Sequence, residues 1–405
     1  MIKSLLKNIG PGTLITAAFI GPGTVTVCTI AGVDFGFSLI WAIVLSIVAT
    51  IVLQEMSARL GIVTQRGLAE AIRSQIHSPF LKAVAIVLIL SAIVIGNAAY
   101  EAGNISGGVL GLEAIFGVKR LELGWFSLNY FSLAIGVIAF LLLYFGKYKA
   151  IERVLVILVL LMSVSFLMTA FITKPDITSI IKGFVPKLPN KSALTVIGLV
   201  GTTVVPYNLF LHAALVSKKW KDKKDLKYAK SDTILAVVLG GIVSIAIMIS
   251  AAAIQTQDIT NASDLALGLE PLFGSFAKYF LAVGLFAAGI TSAITAPLAA
   301  AYVATGCLGW SSELRTKRFR AVWILILIIG VLSSSTGFKS IQIIKFAQVA
   351  NGILLPIIAG FLIWIVNKSS VLGAFRNTKK QTVFALLILI ITVFLGIKSI
   401  LSVFN

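Results

Sequence analysis

Apolar residues in this chain run in blocks of about twenty, separated by short polar stretches. A bilayer core about 30 Å thick needs about 20 apolar residues per helix. The blocks at 10–31, 37–58, 82–107, 126–146, 152–173, 194–216, 232–254, 273–304, 320–335, 341–366 and 381–401 therefore predict about eleven membrane-spanning helices. Strands are disfavoured, because barrel segments alternate apolar with polar residues and are far shorter. Lys3 and Lys7 precede a stretch that continues as a full span with no evident cleavage site, so the first span is expected to stay.

Two of the blocks are interrupted in corresponding places. The first holds Gly21-Pro22-Gly23-Thr24, and the sixth holds Val205-Pro206-Tyr207-Asn208 after Gly201-Thr202-Thr203. Proline removes a backbone donor and clashes with the preceding turn, and glycine permits unwound backbone, so both helices should break near mid-membrane. Unwound backbone at lipid depth is tolerated only where it is buried in protein or lines a cavity. Matched breaks five spans apart point to inverted repeats with a binding site between them, the plan of a secondary transporter. The alternative is a pair of ordinary proline kinks, the weaker account of two breaks flanked by small polar residues.

Composition agrees with the pattern: 58% of the 405 residues are hydrophobic and 12% charged, and the mean hydropathy is +1.03. Most Lys and Arg fall in alternate connections, at 3–7, 59–82, 147–153, 218–230, 315–320 and 368–380. Retained loops carry such an excess, so the reading is a multi-pass cell-membrane protein with the N-terminus cytoplasmic and, for an odd number of spans, the C-terminus outside. The net charge of +19 thus follows from topology, and anionic lipid is a more natural partner than nucleic acid. Cys28 and Cys307 have neither metal-ligand spacing nor a disulfide framework and read as packing residues. No separate soluble domain or cofactor motif is evident, and a monomer would suffice.

At the breaks the chain resembles the Nramp family of proton-coupled divalent metal transporters. Gln54-Glu55-Met56-Ser57-Ala58-Arg59-Leu60-Gly61-Ile62-Val63-Thr64, followed by Leu68-Ala69-Glu70, is similar to the end of that family's second helix. Pro206, Asn208, Leu209, Leu211 and His212 match its sixth-helix motif Met-Pro-His-Asn-Leu-Tyr-Leu-His, and Ala347-Gln348-Val349 with Leu355-Pro356 resembles its tenth helix. The resemblance implies a fold shared with sodium-coupled amino-acid symporters. It implies an all-α integral membrane domain over 1–405, with one five-helix repeat in 1–173, its inverted counterpart in 194–366 and an extra helix at 381–401.

The departures from the family fall on its metal site. Its Asp-Pro-Gly-Asn is Gly21-Pro22-Gly23-Thr24 here, its sixth-helix methionine is Val205, and the first histidine of that motif is Tyr207. An acidic position before Glu101 is occupied by Asn97-Ala98. Transition metals need carboxylate, imidazole or thioether donors, and a dication buried without compensating charge is costly. With the carboxylate gone, the amide ends of the half-helices become the dominant fixed charges, an arrangement that suits an anion. Thr24, Thr26, Thr202, Thr203 and Tyr207 add hydroxyls and Asn208 an amide, so the expected cargo is a small anion such as bicarbonate or a short carboxylate. The substrate seat is expected at Gly21, Pro22, Gly23, Val205 and these polar residues, with Gln348 facing it. The alternative is the family's own cargo, a divalent metal ion held by carbonyls and Glu101. Capping of the half-helices by Thr24 and Thr26, a gating or packing role for Tyr207 and bracing of the unwound backbone by Asn208 are the plainer readings of those residues.

Coupling has two candidate routes. Ala288, Thr291 and Ser292 repeat the spacing by which the sodium-coupled relatives present a carbonyl and two hydroxyls to Na+, completed by carbonyls near Gly21. Ser and Thr in membrane helices also commonly bond to backbone. Glu101 and His212 are the buried titratable groups through which protons could move, His212 reading better as a helix contact, and Lys345 is placed to snorkel to the interface. An enzyme is disfavoured, since neither His-Glu-x-x-His nor Gly-x-Ser-x-Gly occurs. A channel would show passive, unsaturable flux.

Overall fold

The computed structural model describes residues 20–123, 126–146, 149–254 and 259–404. The expected helix from residue 10 up to the first break therefore lies outside the described residues. Along the chain run α1 (Pro22–Phe35), α2 (Ile40–Thr64), α3 (Leu68–Gln75), α4 (Pro79–Phe116), β1 (Arg120–Leu123), β2 (Phe126–Asn129), α5 (Tyr130–Phe145) and α6 (Lys149–Ile172). They are followed by α7 (Ala193–Thr203), α8 (Pro206–Lys219), α9 (Leu226–Ala252), α10 (Ala277–Leu308), α11 (Lys317–Ser334), α12 (Ser340–Val366) and α13 (Lys379–Phe404), with short helical turns between them. Eight helical stretches among the described residues are long and apolar enough to cross a membrane, α7 and α8 together forming one of them. The 16-residue α5, the 18-residue α11 and the 14-residue α1, which begins at the break, account for the other expected spans.

Helix ends follow local chemistry. Ser78 caps α4 with Pro79 in the first turn, and the Asn129 side chain accepts from the amides of Phe131 and Ser132 to start α5. The region before α5 corrects the sequence reading. Residues 126–129, expected to open the fourth span, pair antiparallel with 120–123, Arg120 opposite Asn129 and Leu121 opposite Leu128. Hydropathy counted Phe126 and Leu128 as membrane core, but Ser127 and Asn129 alternate with them, the period of a strand.

The second break forms where Gly and Pro place it, and of the first the described residues show the start of its second half. Gly21 is extended (φ −87°, ψ 177°) and α1 starts at Pro22. The Val204 amide closes α7 by donating to the Val200 carbonyl, Val205 is extended (φ −74°, ψ 121°), and α8 starts at Pro206. Proline at the first helical position loses no hydrogen bond, because that amide has no partner within the helix. Around the breaks the helices come together through small residues. A Cβ on Gly107 of α4 would lie 2.0 Å from Pro22 Cβ, and one on Gly201 of α7 would lie 1.9 Å from the Gln348 carbonyl oxygen of α12. Without a hydrophobic drive between helices in lipid, such close backbone approach is what packs them. The core consequently runs through α1, α4, α7, α8, α10 and α12, while α5, α6 and α13 turn large apolar side chains outward.

Candidate functional site

The two breaks meet beside α12. Thr24 Oγ1 and Thr202 Oγ1 are 2.9 Å apart, a hydrogen bond between α1 and α7 across 178 residues of sequence. Gln348 closes the third side: a Cβ on Gly23 would stand 2.3 Å from its Nε2, and its buried Oε1 meets no hydrogen-bond partner. Thr26 Oγ1 and both amide atoms of Asn208 are likewise buried without a partner. An unmet buried polar atom costs about 1–3 kcal/mol, so these atoms, carried by α1, α8 and α12, mark places where a ligand or water completes the bonding. Val205 and Pro206 are buried beside it, and Tyr207 packs edge-on against Tyr100 with ring centroids 5.4 Å apart.

Other expected site residues lie around this cluster in different roles. The Thr203 hydroxyl donates to the Leu199 carbonyl of its own helix at 2.9 Å, and its own carbonyl accepts from Thr50 at 3.4 Å. Glu101 is fully buried on α4 next to Tyr100; one carboxylate oxygen accepts from Asn104 at 3.3 Å and the other has no partner. His212 pairs through Nδ1 with Gln54 of α2, which leaves its buried Nε2 unmet. Asn97 donates to the Ala296 carbonyl of α10 at 3.0 Å.

For the expected sodium set, α4 brings the pieces into one neighbourhood: Pro22 packs at Gly107 and Gly289 at Gly108. The hydroxyls differ, however. Ser292 Oγ is buried and unmet, but Thr291 Oγ1 donates to the carbonyls of Ala287 and Ala288 at 3.1 and 3.0 Å. One carbonyl of the expected set is thus already bonded to one of its hydroxyls.

Among the described residues, access to the breaks is unequal. On one side a cavity of about 840 Å3 runs inward from Asp34, Lys191 and Lys345 to Val27, Gly198 and Val349, one helical turn or less from Thr24, Thr202 and Gln348. On the other a cavity of about 160 Å3 lies among Gln65, Glu70, Ser217, Lys218 and Tyr302. That end is tied shut by polar contacts. Lys218 Nζ donates to Tyr302 Oη at 2.8 Å, and Gln65 Nε2 donates to the Trp220 carbonyl at 3.0 Å. Arg59 joins α2 to the segment before α13, with Nη1 donating to the Phe375 carbonyl at 2.7 Å and Nη2 to Asn377 Oδ1 at 2.6 Å and Glu55 Oε2 at 3.1 Å.

Nothing in the sequence marks Asn377, Tyr100 or Tyr302, and Lys345, expected to snorkel, lines the larger cavity. Arg59, Gln54 and His212 belong to stretches that resemble family motifs, but their pairings join residues more than 150 positions apart and carry no local signal.

A first-span helix that starts at Gly21-Pro22 and a broken sixth span, meeting at a shared polar centre, match the membrane-transporter fold of inverted five-helix repeats seen in solved structures. The fold matches the Eremococcus coleocola manganese transporter with a TM-score of 0.76 at 23% identity, covering 99% of this chain and 87% of that one. It also matches MhsT in complex with L-phenylalanine, with a TM-score of 0.58 at 17% identity and coverage of 97% and 98%.

The family model described as natural resistance-associated macrophage protein-like matches residues 12–402, and the chain belongs to that family, Nramp. Curated relatives named divalent metal cation transporter MntH include that of Bacillus subtilis, 28% identical over 417 residues with 100% of this chain and 94% of the relative covered. That of Caldanaerobacter subterraneus is 27% identical over 400 residues, covering 96% and 91%. These names favour the metal alternative of the sequence reading and lend nothing to the anion. Among the described residues, no group of three or more His, Cys, Asp or Glu could hold a metal ion.

Proposed function

We infer that this chain carries a divalent metal cation across the membrane by alternating access, with the ion seated at the breaks between Gly21–Thr24 and Val205–Asn208. Membership of the Nramp family over residues 12–402, with helices starting at Pro22 and Pro206, is the observation that carries the reading. The oxygens of Thr24, Thr26, Thr202, Asn208 and Gln348, with carbonyls at the open end of α7, form a hard donor set that suits Mn2+ and Mg2+ better than softer metals. Lacking a thioether at Val205, the site should separate Mn2+ from Mg2+ poorly. Negative charge is supplied by Glu101, and its unmet oxygen also makes it the residue we assign to proton coupling. Sodium coupling is the weaker route, since Thr291 already bonds the Ala288 carbonyl.

A second reading, a small oxyanion such as bicarbonate or a short carboxylate, is favoured by one specific arrangement. Two helix amino-termini, at Pro22 and Pro206, open at carboxylate-free breaks, and Lys191 and Lys345 line the vestibule. Proteoliposome uptake separates the two. The metal reading expects saturable Mn2+ and Mg2+ uptake driven by a pH gradient and unaffected by Na+. Bicarbonate uptake without Mn2+ uptake would replace it with the anion.

A further inference from the structure

Away from the breaks, the outer surface between α4 and α12 is hollowed at the end that carries α3. Two adjoining hollows of about 410 and 420 Å3 share Ile76, Phe361 and Trp364. Their walls are apolar and turned outward, with Leu81 and Val84 on α4 and Ile357 on α12 all exposed. In a membrane-spanning bundle that surface faces hydrocarbon. Gly360 leaves the second hollow open: a Cβ built there meets no atom within 4 Å.

One end of the trough is polar. His77, Ser78 and Lys368 gather where α4 begins and α12 has ended, and Ser370 Oγ donates to Gln75 Oε1 at 2.9 Å to join the two connections behind them. The Lys368 ammonium stands 4.4 Å from the centroid of the Trp364 ring. A Lys beside an outward Trp at a helix end is the chemistry of the headgroup layer. No Asp or Glu lines either hollow.

We propose that this trough is a binding site for one anionic glycerophospholipid, its phosphate at Lys368 and His77 and an acyl chain laid along Val84, Gly360 and Ile357. Charge decides the class. A cation at the polar end with no Asp or Glu in the lining attracts a net negative headgroup, and the Trp364 ring, the aromatic face a choline would use, already has the Lys368 ammonium over it. The site lies between the helix that carries Tyr100 and Glu101 and the helix that carries Gln348, so an occupant braces two walls of the transport site. It does not depend on which ion is carried.

Native mass spectrometry of the detergent-purified full chain, titrated with phosphatidylglycerol or phosphatidylcholine of the same acyl composition, tests the proposal. The expected result is one phosphatidylglycerol retained about fivefold more strongly than phosphatidylcholine, the factor of a single Lys near an anionic headgroup. Lys368→Gln should bring that ratio close to one. Gly360→Leu, which fills open space, should lower retention of both lipids while leaving the melting temperature at the wild-type value. Equal retention of the two lipids by the wild type, or a ratio unchanged in Lys368→Gln together with retention unchanged in Gly360→Leu, would overturn the site.

Discussion

The two ends of the bundle differ in what closes them. At the Asp34 end a cavity of about 840 Å3 descends to within about a turn of the Thr24–Thr202 hydrogen bond. At the Lys218 end the described residues enclose a cavity of about 160 Å3, and side chains from α2, α8, α10 and the segment before α13 are joined by hydrogen bonds. An alternating-access transporter needs both ends to be openable, and the contrast shows which contacts must break. The closed end is held by a few polar contacts between charged or amide groups, whereas the centre is held by backbone packed on backbone. Polar latches can be exchanged for water, but close-packed backbone cannot move without repacking.

The largest effect is therefore expected at the centre. Gly201→Leu drives a side chain into the Gln348 carbonyl, already only 1.9 Å from a Cβ at that site, and overpacking of this kind costs about 1–3 kcal/mol or more. Uptake should fall below a tenth of wild type, with a lower melting temperature in detergent. Normal uptake would mean that α7 and α12 part during the cycle.

Next in size is Arg59→Ala, which removes two links to the segment before α13 and leaves Glu55 and Asn377 without that partner. Losing such bonds costs about 1–3 kcal/mol, enough to shift the balance toward opening at this end by about tenfold. Labelling of a cysteine introduced at Ser217 should speed up accordingly, and unchanged labelling would count against a latch. The smallest effect is expected for Lys218→Met. Its hydrogen bond to Tyr302 is exposed, and pairs of this kind are worth about 0.2–1 kcal/mol, so labelling at the same position should rise by no more than about fivefold.

How far these features could be read from sequence follows from how local their signals are. The breaks were legible because Gly21, Pro22, Gly23 and Pro206 each dictate backbone conformation by themselves. The spans were legible because lipid demands long apolar runs. The pairing of 120–123 with 126–129 was not, since a four-residue alternation vanishes inside a hydropathy window about twenty residues wide. The pairing of Gln54 with His212, and of Arg59 with Asn377, depended on helix packing that no local pattern encodes. The sign of the cargo was the hardest point. Thr, Asn and Gln can each offer hydrogen to an anion or oxygen to a cation. Their presence marked a site without fixing its charge, and the family relation then favoured the cation.

The seat of the ion can be tested by returning charge to it. Gly21→Asp places a carboxylate at the start of the first break, and at about 4 Å from a bound dication such a group contributes several kcal/mol at low effective dielectric. In proteoliposomes the half-saturating Mn2+ concentration should fall at least tenfold in Gly21→Asp relative to wild type. An unchanged half-saturating concentration would place the ion away from the breaks. Loss of bicarbonate uptake in the same variant, where the wild type carries bicarbonate and not Mn2+, would contradict the cation reading.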